Sequence, residues 1–471
     1  MTFNSFAFLL FLSSILCLYY FLGARKRAIL LLISSYAFYM SWKAEYVFLL
    51  LLTTSIDYLA GIRIEASHKI STKRIWLSIS ILCNLGMFAA FRYAEVLLSG
   101  FNQFASAWHV DYSWNVTHLV IPIGISFYTF QSIGYAIDVY YKRVNAEKDP
   151  LTFALFVSYF PQLLAGPIDK SYHLIPQLKK LSDVSLLQIS MGVKLIIWGL
   201  FKKMVVADNL APFVNKVFLT DYPASPWEHV FVVFVFTIQI YADFSGYSDI
   251  AIGISNLFGV KLKDNFKQPY FAQNIQQYWQ RWHMSLTDWF RDYVFSYISI
   301  EYRRWGKAAT VFAIFCTFIL SGLWHGETLN FIIWGTLHGI YLSLFFLIFR
   351  NKTAATKIGK VSSYFLLIAM ILLANIFFRA ENTVQAFQII KAFLSLNPAE
   401  LQNYPWMALP KIGLFFALIM FILDYILKDK PSHLFFSNLN YNLRMLIPAM
   451  LILFILLFGQ YGGSEFIYFK F

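Results

Sequence analysis

Runs of about 20 mostly apolar residues, the length at which an α-helix crosses a bilayer, recur along nearly all of this sequence and dictate what it can become. Candidate spans lie near 4–24, 28–42, 44–61, 75–98, 118–141, 185–207, 228–259, 308–324, 329–349, 361–379, 411–427 and 445–459. Only 13% of the 471 residues are charged and 59% are hydrophobic, whereas a soluble domain carries roughly 25% charged residues. The expected fold class is therefore all-α, a polytopic integral membrane protein with roughly 11–12 transmembrane helices. No internal repeat, low-complexity tract or flexible linker divides the chain, which reads as a single membrane-embedded domain over 1–471. The longest external stretch, near 380–410, is too short to be a soluble enzyme domain.

The net charge of +13 is spread over short basic clusters between apolar runs, a pattern that sets membrane orientation and does not point to nucleic acid. Loops 25–27, 62–74, 142–148, 261–307, 350–360 and 428–444 carry Lys and Arg, whereas 99–117 has neither. The basic loops are expected in the cytoplasm and both termini outside. The first apolar run has no basic residue ahead of it and is followed by Arg25, Lys26 and Arg27, so it reads as a retained span and not a cleaved signal peptide. Cys17, Cys83 and Cys316 all fall in apolar runs, and their spacing suggests neither a disulfide framework nor a metal site.

Residues 151–168, LTFALFVSYFPQLLAGPI, have basic residues on both sides: Lys142, Arg143 and Lys148 before, and Lys170, Lys179 and Lys180 after. A segment with both ends on one side cannot cross. Pro161, Gly166 and Pro167 interrupt any helix there, and broken backbone at membrane depth is tolerated only where protein buries it or water reaches it. The expectation is a re-entrant element lining a cavity; the alternative is a helix lying flat on the surface. Within 118–141, Pro122 and Gly124 suggest a kink and Gln131 a packing contact.

Three stretches carry candidate chemistry. In SGLWHGETLN, His325 follows Trp324 at the junction of two membrane-type runs, where an ionisable side chain is costly and marks a functional site by default; the alternative is a helix-end histidine bonded to a backbone carbonyl. In NIQQYWQRWHMSLTDWFRDYVF, residues 274–295, Trp279, Trp282, Leu286, Trp289 and Tyr293 recur at spacings of three and four. That spacing predicts one interfacial helix with an aromatic face, and His283 sits at the edge of it beside Arg281. In QIYADFSGYSDIAIG, residues 239–253, Asp243, Ser245, Tyr247, Ser248 and Asp249 make an apolar run polar along one side. Its carboxylates need partners or water and are expected to line a hydrated tunnel; for Ser245 and Ser248 the alternative is polar glue between helices.

YFPQLLAGPI, IYADFSGYSDIAIG, YWQRWHMSLTDWFRDYV, SGLWHG, NIFFRAENT and FIYFKF, in that order, resemble the membrane-bound O-acyltransferase (MBOAT) family. The likeness is greatest to its bacterial branch of alginate and peptidoglycan O-acetyltransferase membrane subunits. It runs from about residue 118 to 471, leaving 1–117 as N-terminal helices supported by hydropathy alone. The resemblance implies a many-helix core pierced by a central tunnel, His325 as the essential histidine and His283 as its companion. It also implies an acetyl group moved from cytoplasmic acetyl-CoA, with no bound cofactor or metal, to an extracytoplasmic SGNH-type acetyltransferase. That partner serves a polysaccharide outside the bacterial inner membrane. Lys261, Lys263, Lys267, Arg281, Arg303 and Arg304 supply a basic cytoplasmic rim for the anionic end of CoA. Trp324, Trp282, Asp243, Tyr247 and Asp249 are the further candidates for substrate contact. The external stretch 99–117 and Tyr404, Pro405 and Trp406 are the expected docking surface for the partner. The alternatives are D-alanyl transfer of the teichoic acid type and, from another class, a transporter or flippase in which His325 and the Asp residues relay protons. No inverted repeat supports the latter.

Overall fold

The computed structural model describes residues 1–108, 121–220, 222, 224–349, 357–402, 406, 409–426, 440–462 and 466–467, and every regular element among them is helical. The described residues form two compact units, one of residue 1 with 11–183 and 258–261, the other of 2–10, 184–257 and 262–471. Among the described residues six helices are long and apolar enough to cross a membrane: Tyr46–Ala66, Ile70–Arg92, Pro226–Leu257, Lys307–His325, Leu329–Phe349 and the part Val361–Arg379 of a longer helix. The protein is an all-α, multi-pass membrane protein. Its three cysteines are free thiols.

The first unit contains most of α1 (Phe6–Tyr19) and then α2 (Ala24–Met40), α3 (Tyr46–Ala66), α4 (Ile70–Arg92), α5 (Ala94–Ala107), α6 (Ile125–Tyr140), α7 (Pro150–Ser158), α8 (Phe160–Leu163) and α9 (Ser171–Lys179). Where lipid offers no polar partner, buried polar groups bind one another. Asp57 of α3 thus accepts from Ser80 Oγ at 2.5 Å and from Asn84 Nδ2 at 2.9 Å, both on α4. The span expected at 118–141 begins only at Ile125, because Gly124 takes a left-handed φ of 80° just before it. Pro122 and Gly124 thus start a helix and do not kink one. Gln131 does pack, donating from Nε2 to Phe156 O at 2.7 Å. The 151–168 element is broken at Tyr159, and residues 155–171 are all buried; a helix lying flat on a surface would expose one side.

The second unit adds α10 (Leu186–Leu200), α11 (Asp208–Phe218), α12 (Pro226–Leu257), α13 (Ile275–Trp279), α14 (Met284–Phe290), α15 (Ser296–Glu301), α16 (Lys307–His325), α17 (Leu329–Phe349), α18 (Lys357–Arg379), α19 (Thr383–Leu394), α20 (Pro398–Gln402), α21 (Lys411–Ile426) and α22 (Tyr441–Phe458). Its axis is α12, a 32-residue helix buried all round from residue 239 onward. Helix α10 lies against it along glycines: a Cβ on Gly192 would strike Gly253 O, and one on Gly199 would strike Gly246 O. Small residues allow this approach. It brings the π-helical turn that continues α10, Phe201–Ala207, onto the acidic stretch of α12. There Lys203 Nζ lies 2.7 Å from Asp243 and 2.9 Å from Asp208, while Lys202 Nζ lies 2.5 Å from Asp249 and 2.9 Å from Ser245 Oγ. Asp243 also accepts the Ile467 N–H at 2.7 Å.

Residues 274–295 do not form the single interfacial helix their spacing predicts. Helix α13 ends at Trp279, His283 adopts a left-handed conformation (φ 43°, ψ 52°), α14 starts beyond it, and a π-helical turn, Arg291–Phe295, follows. The aromatic residues of the expected face are nonetheless buried, since Trp279, Trp282, Trp289 and Tyr293 are 6–7% exposed. The stretch near 380–410 is not an open loop either, as α19 and α20 occupy much of it.

Candidate active site

His325 is the last residue of α16, and burial leaves it 4% exposed. Four rings box it in: Trp324 at 4.8 Å, Trp334 at 5.0 Å, Phe378 at 5.1 Å and Phe331 at 6.4 Å between centroids. The two glycines of SGLWHG make room for this box. A side chain at Gly322 would meet the Phe331 carbonyl, and one at Gly326 would meet the Phe331 ring. His338, one turn beyond Trp334 on α17, packs on that indole at 4.8 Å and on Trp279 at 5.0 Å.

His283, 1% exposed, reaches the same place from the broken segment. Its ring lies 6.2 Å from Trp324, the ring that also touches His325, and edge-on to Phe244 of α12 at 4.6 Å. A left-handed non-glycine residue costs on the order of 1–3 kcal/mol and persists only where its surroundings over-determine it. Here Asn265 does so. Its carbonyl accepts the Met284 N–H at 2.8 Å, its Oδ1 accepts from Ser285 N at 3.3 Å and Ser285 Oγ at 2.9 Å, and its Nδ2 donates to Ser248 Oγ at 3.1 Å. Because a backbone N–H can only donate, the atom facing Ser285 is the amide oxygen. His283 Nδ1, 3.1 Å from that same oxygen, therefore carries the proton, and Nε2 is left as the basic nitrogen. Burial holds the His283 imidazole well below its usual range, and nearby His325 pushes it further down. His283 is thus a neutral imidazole at physiological pH.

The other expected site residues divide. Trp324 bridges the histidines, and Trp282 packs among Phe266, Tyr278 and Tyr241. Asp243 and Asp249 are paired with Lys203 and Lys202 where the π-helical turn meets α12, and Tyr247 stacks on Phe3 at 4.8 Å and meets Phe466 edge-on at 4.4 Å. Of the basic rim, Lys267 and Arg281 come together beside the His283 turn through Lys267 N–H to Arg281 O at 2.9 Å. Lys263 is half-buried in the same unit, and Arg303 and Arg304 are exposed there. Lys261 belongs to the first unit, where its N–H donates to Gln177 Oε1 at 2.9 Å. Trp406 is half-exposed against Phe231; Tyr404, Pro405 and 109–117 lie outside the described residues. Asn265, Trp334 and Phe378 escaped the sequence reading.

Two buried histidines thus share the Trp324 ring, His325 at the end of a spanning helix and His283 in the broken segment. Residues 147–378 match the model of the membrane-bound O-acyltransferase family. The chain is 35% identical over 407 residues to a Pseudomonas aeruginosa protein named probable alginate O-acetylase AlgI, an alignment covering 86% of this chain and 76% of that one. It is 33% identical over 403 residues to the peptidoglycan O-acetyltransferase of Helicobacter pylori, covering 79% and 74%. To the teichoic acid D-alanyltransferase of Bacillus subtilis it is 27% identical over 243 residues, covering 48% and 60%. The chain belongs to the membrane-bound O-acyltransferase family, in the branch that holds the alginate and peptidoglycan proteins, and it is an O-acyltransferase.

Asn265→Ala is expected to lower kcat about 10²-fold, the scale of a catalytic group misplaced by roughly 1 Å. Asn265→Asp keeps an acceptor for Ser285 and His283 and should retain more activity. An alanine variant turning over at the wild-type rate would show that the clamp does not position His283.

Proposed function

We propose that the enzyme transfers an acetyl group from cytoplasmic acetyl-CoA to a hydroxyl on the outer side of the bacterial inner membrane. The transfer serves O-acetylation of a cell-envelope or exported polysaccharide of the peptidoglycan or alginate kind. The observation that carries this reading is the left-handed His283, held by Asn265 against the Trp324–His325 wall. Backbone strain of that kind is kept where geometry must be fixed. A thioester is activated but a hydroxyl is a poor nucleophile, so a base is needed. His325 takes the hydroxyl proton as the oxygen attacks the thioester carbonyl carbon; the C–S bond then breaks and the sulfur leaves as the thiol, receiving that proton. With Nδ1 held by Asn265, His283 orients the incoming hydroxyl from the Nε2 side of its ring. Lys263, Lys267 and Arg281 supply positive charge for the phosphates of CoA.

The names of the alginate and peptidoglycan relatives support acetyl transfer, and these relatives align along most of the chain. The D-alanyl relatives align with about half of it. Purified enzyme is expected to consume radioactive acetyl-CoA and not a D-alanyl carrier-protein thioester; the opposite preference would assign it to the second reaction. Because a polysaccharide lies beyond the membrane surface, an SGNH-type acetyltransferase outside the membrane would receive the acetyl group. Removal of every such partner should abolish O-acetylation of the polymer, and persistence unchanged would mean direct transfer. For the orientation, with both termini outside, a cysteine placed at 99–108 should react with an impermeant thiol reagent and one at 62–74 should not. The reverse labelling would invert the donor side.

A further inference from the structure

A cavity of about 560 Å³ lies within the second unit, walled by α13, α14 and the turn Arg291–Phe295 on one side and by α16 and α17 on the other. Small-molecule sites occupy roughly 300–1,000 Å³. Its body is apolar, built by Leu286, Phe290, Ile314, Phe318, Leu342 and Phe345. Its polar side chains are uncharged, among them Gln276, Gln280, Thr287 and Thr310, with Arg291 the exception. That guanidinium is already matched, 2.7 Å from Asp288 and 2.8 Å from Asp292. One cation between two carboxylates gives the rim no attraction for a phosphate-rich ligand such as the nucleotide end of CoA.

The cavity is continuous with a lipid-facing surface. Phe345 and Phe346 line it, and their neighbours Leu344, Leu347, Ile348 and Phe349 on the last turns of α17 are 46%, 49%, 54% and 46% exposed. On a membrane-spanning helix such a surface meets hydrocarbon. The inner wall is Trp279, whose ring lies 6.0 Å from Trp334, one of the rings that box His325. We propose that this cavity binds one acyl chain of a bilayer glycerolipid, entering from the α17 side with its ester end at the Gln276 and Gln280 rim. The chain supports the aromatic wall of the active site from behind.

The test uses full-length enzyme in vesicles of phosphatidylethanolamine and phosphatidylglycerol, with a phosphatidylcholine probe bearing a diazirine at the end of one acyl chain. Photolysis is expected to label Ile314, Phe318 or Leu342, besides lipid-facing Phe365 and Leu366 of α18, which are 67% and 55% exposed. Ile314→Trp, which fills the cavity, should cut the cavity label about tenfold and leave the α18 label unchanged; Leu342→Phe serves if the first variant does not fold. Labelling confined to exposed residues, or insensitive to both variants, overturns the proposal. So does loss of the cavity label on saturation with acetyl-CoA, which would give the cavity to the donor's arm.

Discussion

His325→Ala and His325→Gln are expected to lower acetyl transfer by about 10²–10⁴-fold, the usual cost of losing a general base, while the protein still inserts and extracts as wild type. The ring stands among Trp324, Trp334, Phe378 and Phe331, so glutamine fills part of the space and isolates the chemical loss from the packing loss. Turnover of the reconstituted variant with acetyl-CoA and a soluble hydroxyl acceptor measures it. Near wild-type turnover in the glutamine variant would remove His325 from the chemistry and leave it a packing residue. His283→Gln should lose activity with a smaller change in acetyl-CoA binding, since the residue is assigned to the hydroxyl.

The second large effect is on the fold. Lys203→Ala leaves Asp243 and Asp208 buried without their cation, and breaking a buried pair by removing one partner costs about 3–5 kcal/mol. The variant is expected to aggregate on extraction, seen as loss of the monodisperse peak in detergent. Asp243→Asn in the same chain removes one of the two stranded charges and should restore part of the folded material. A Lys203→Ala protein as thermostable as wild type would mean that the site hydrates or protonates at little cost. The pair itself is weak evidence of net stability, because an apolar replacement of both partners can be neutral.

How much of this was legible in the sequence follows from where the determining contacts lie. The apolar runs, the broken 151–168 element and the placement of His325 at a helix end are local properties, and each reads out of a few neighbouring residues. The break at 280–283 is not local. Gln280, Arg281 and Trp282 carry no glycine or proline, and the aromatic spacing across them is helical. What turns the chain is Asn265, 18 positions earlier, in a stretch with no periodic pattern. The partners of Asp243 and Asp249 were hidden for the same reason, since Lys202 and Lys203 lie at the end of an apolar run and nothing in their spacing points at α12. Trp334 and Phe378 are single aromatics within spans rich in them, and only their convergence on one imidazole sets them apart.

The lysine–aspartate contacts between the π-helical turn and α12 also dictate an order of entry into the bilayer. A single charged residue at the centre of a helix costs about 2.5–3.5 kcal/mol to insert. The turn carries two such residues, and the buried length of α12 carries Asp243 and Asp249. During synthesis the lysines emerge first, with Asp208 following at once, while Asp243 and Asp249 are not yet made. The earlier segment therefore gains its remaining counter-charges only when α12 arrives, and the two pack along the glycines that let them touch.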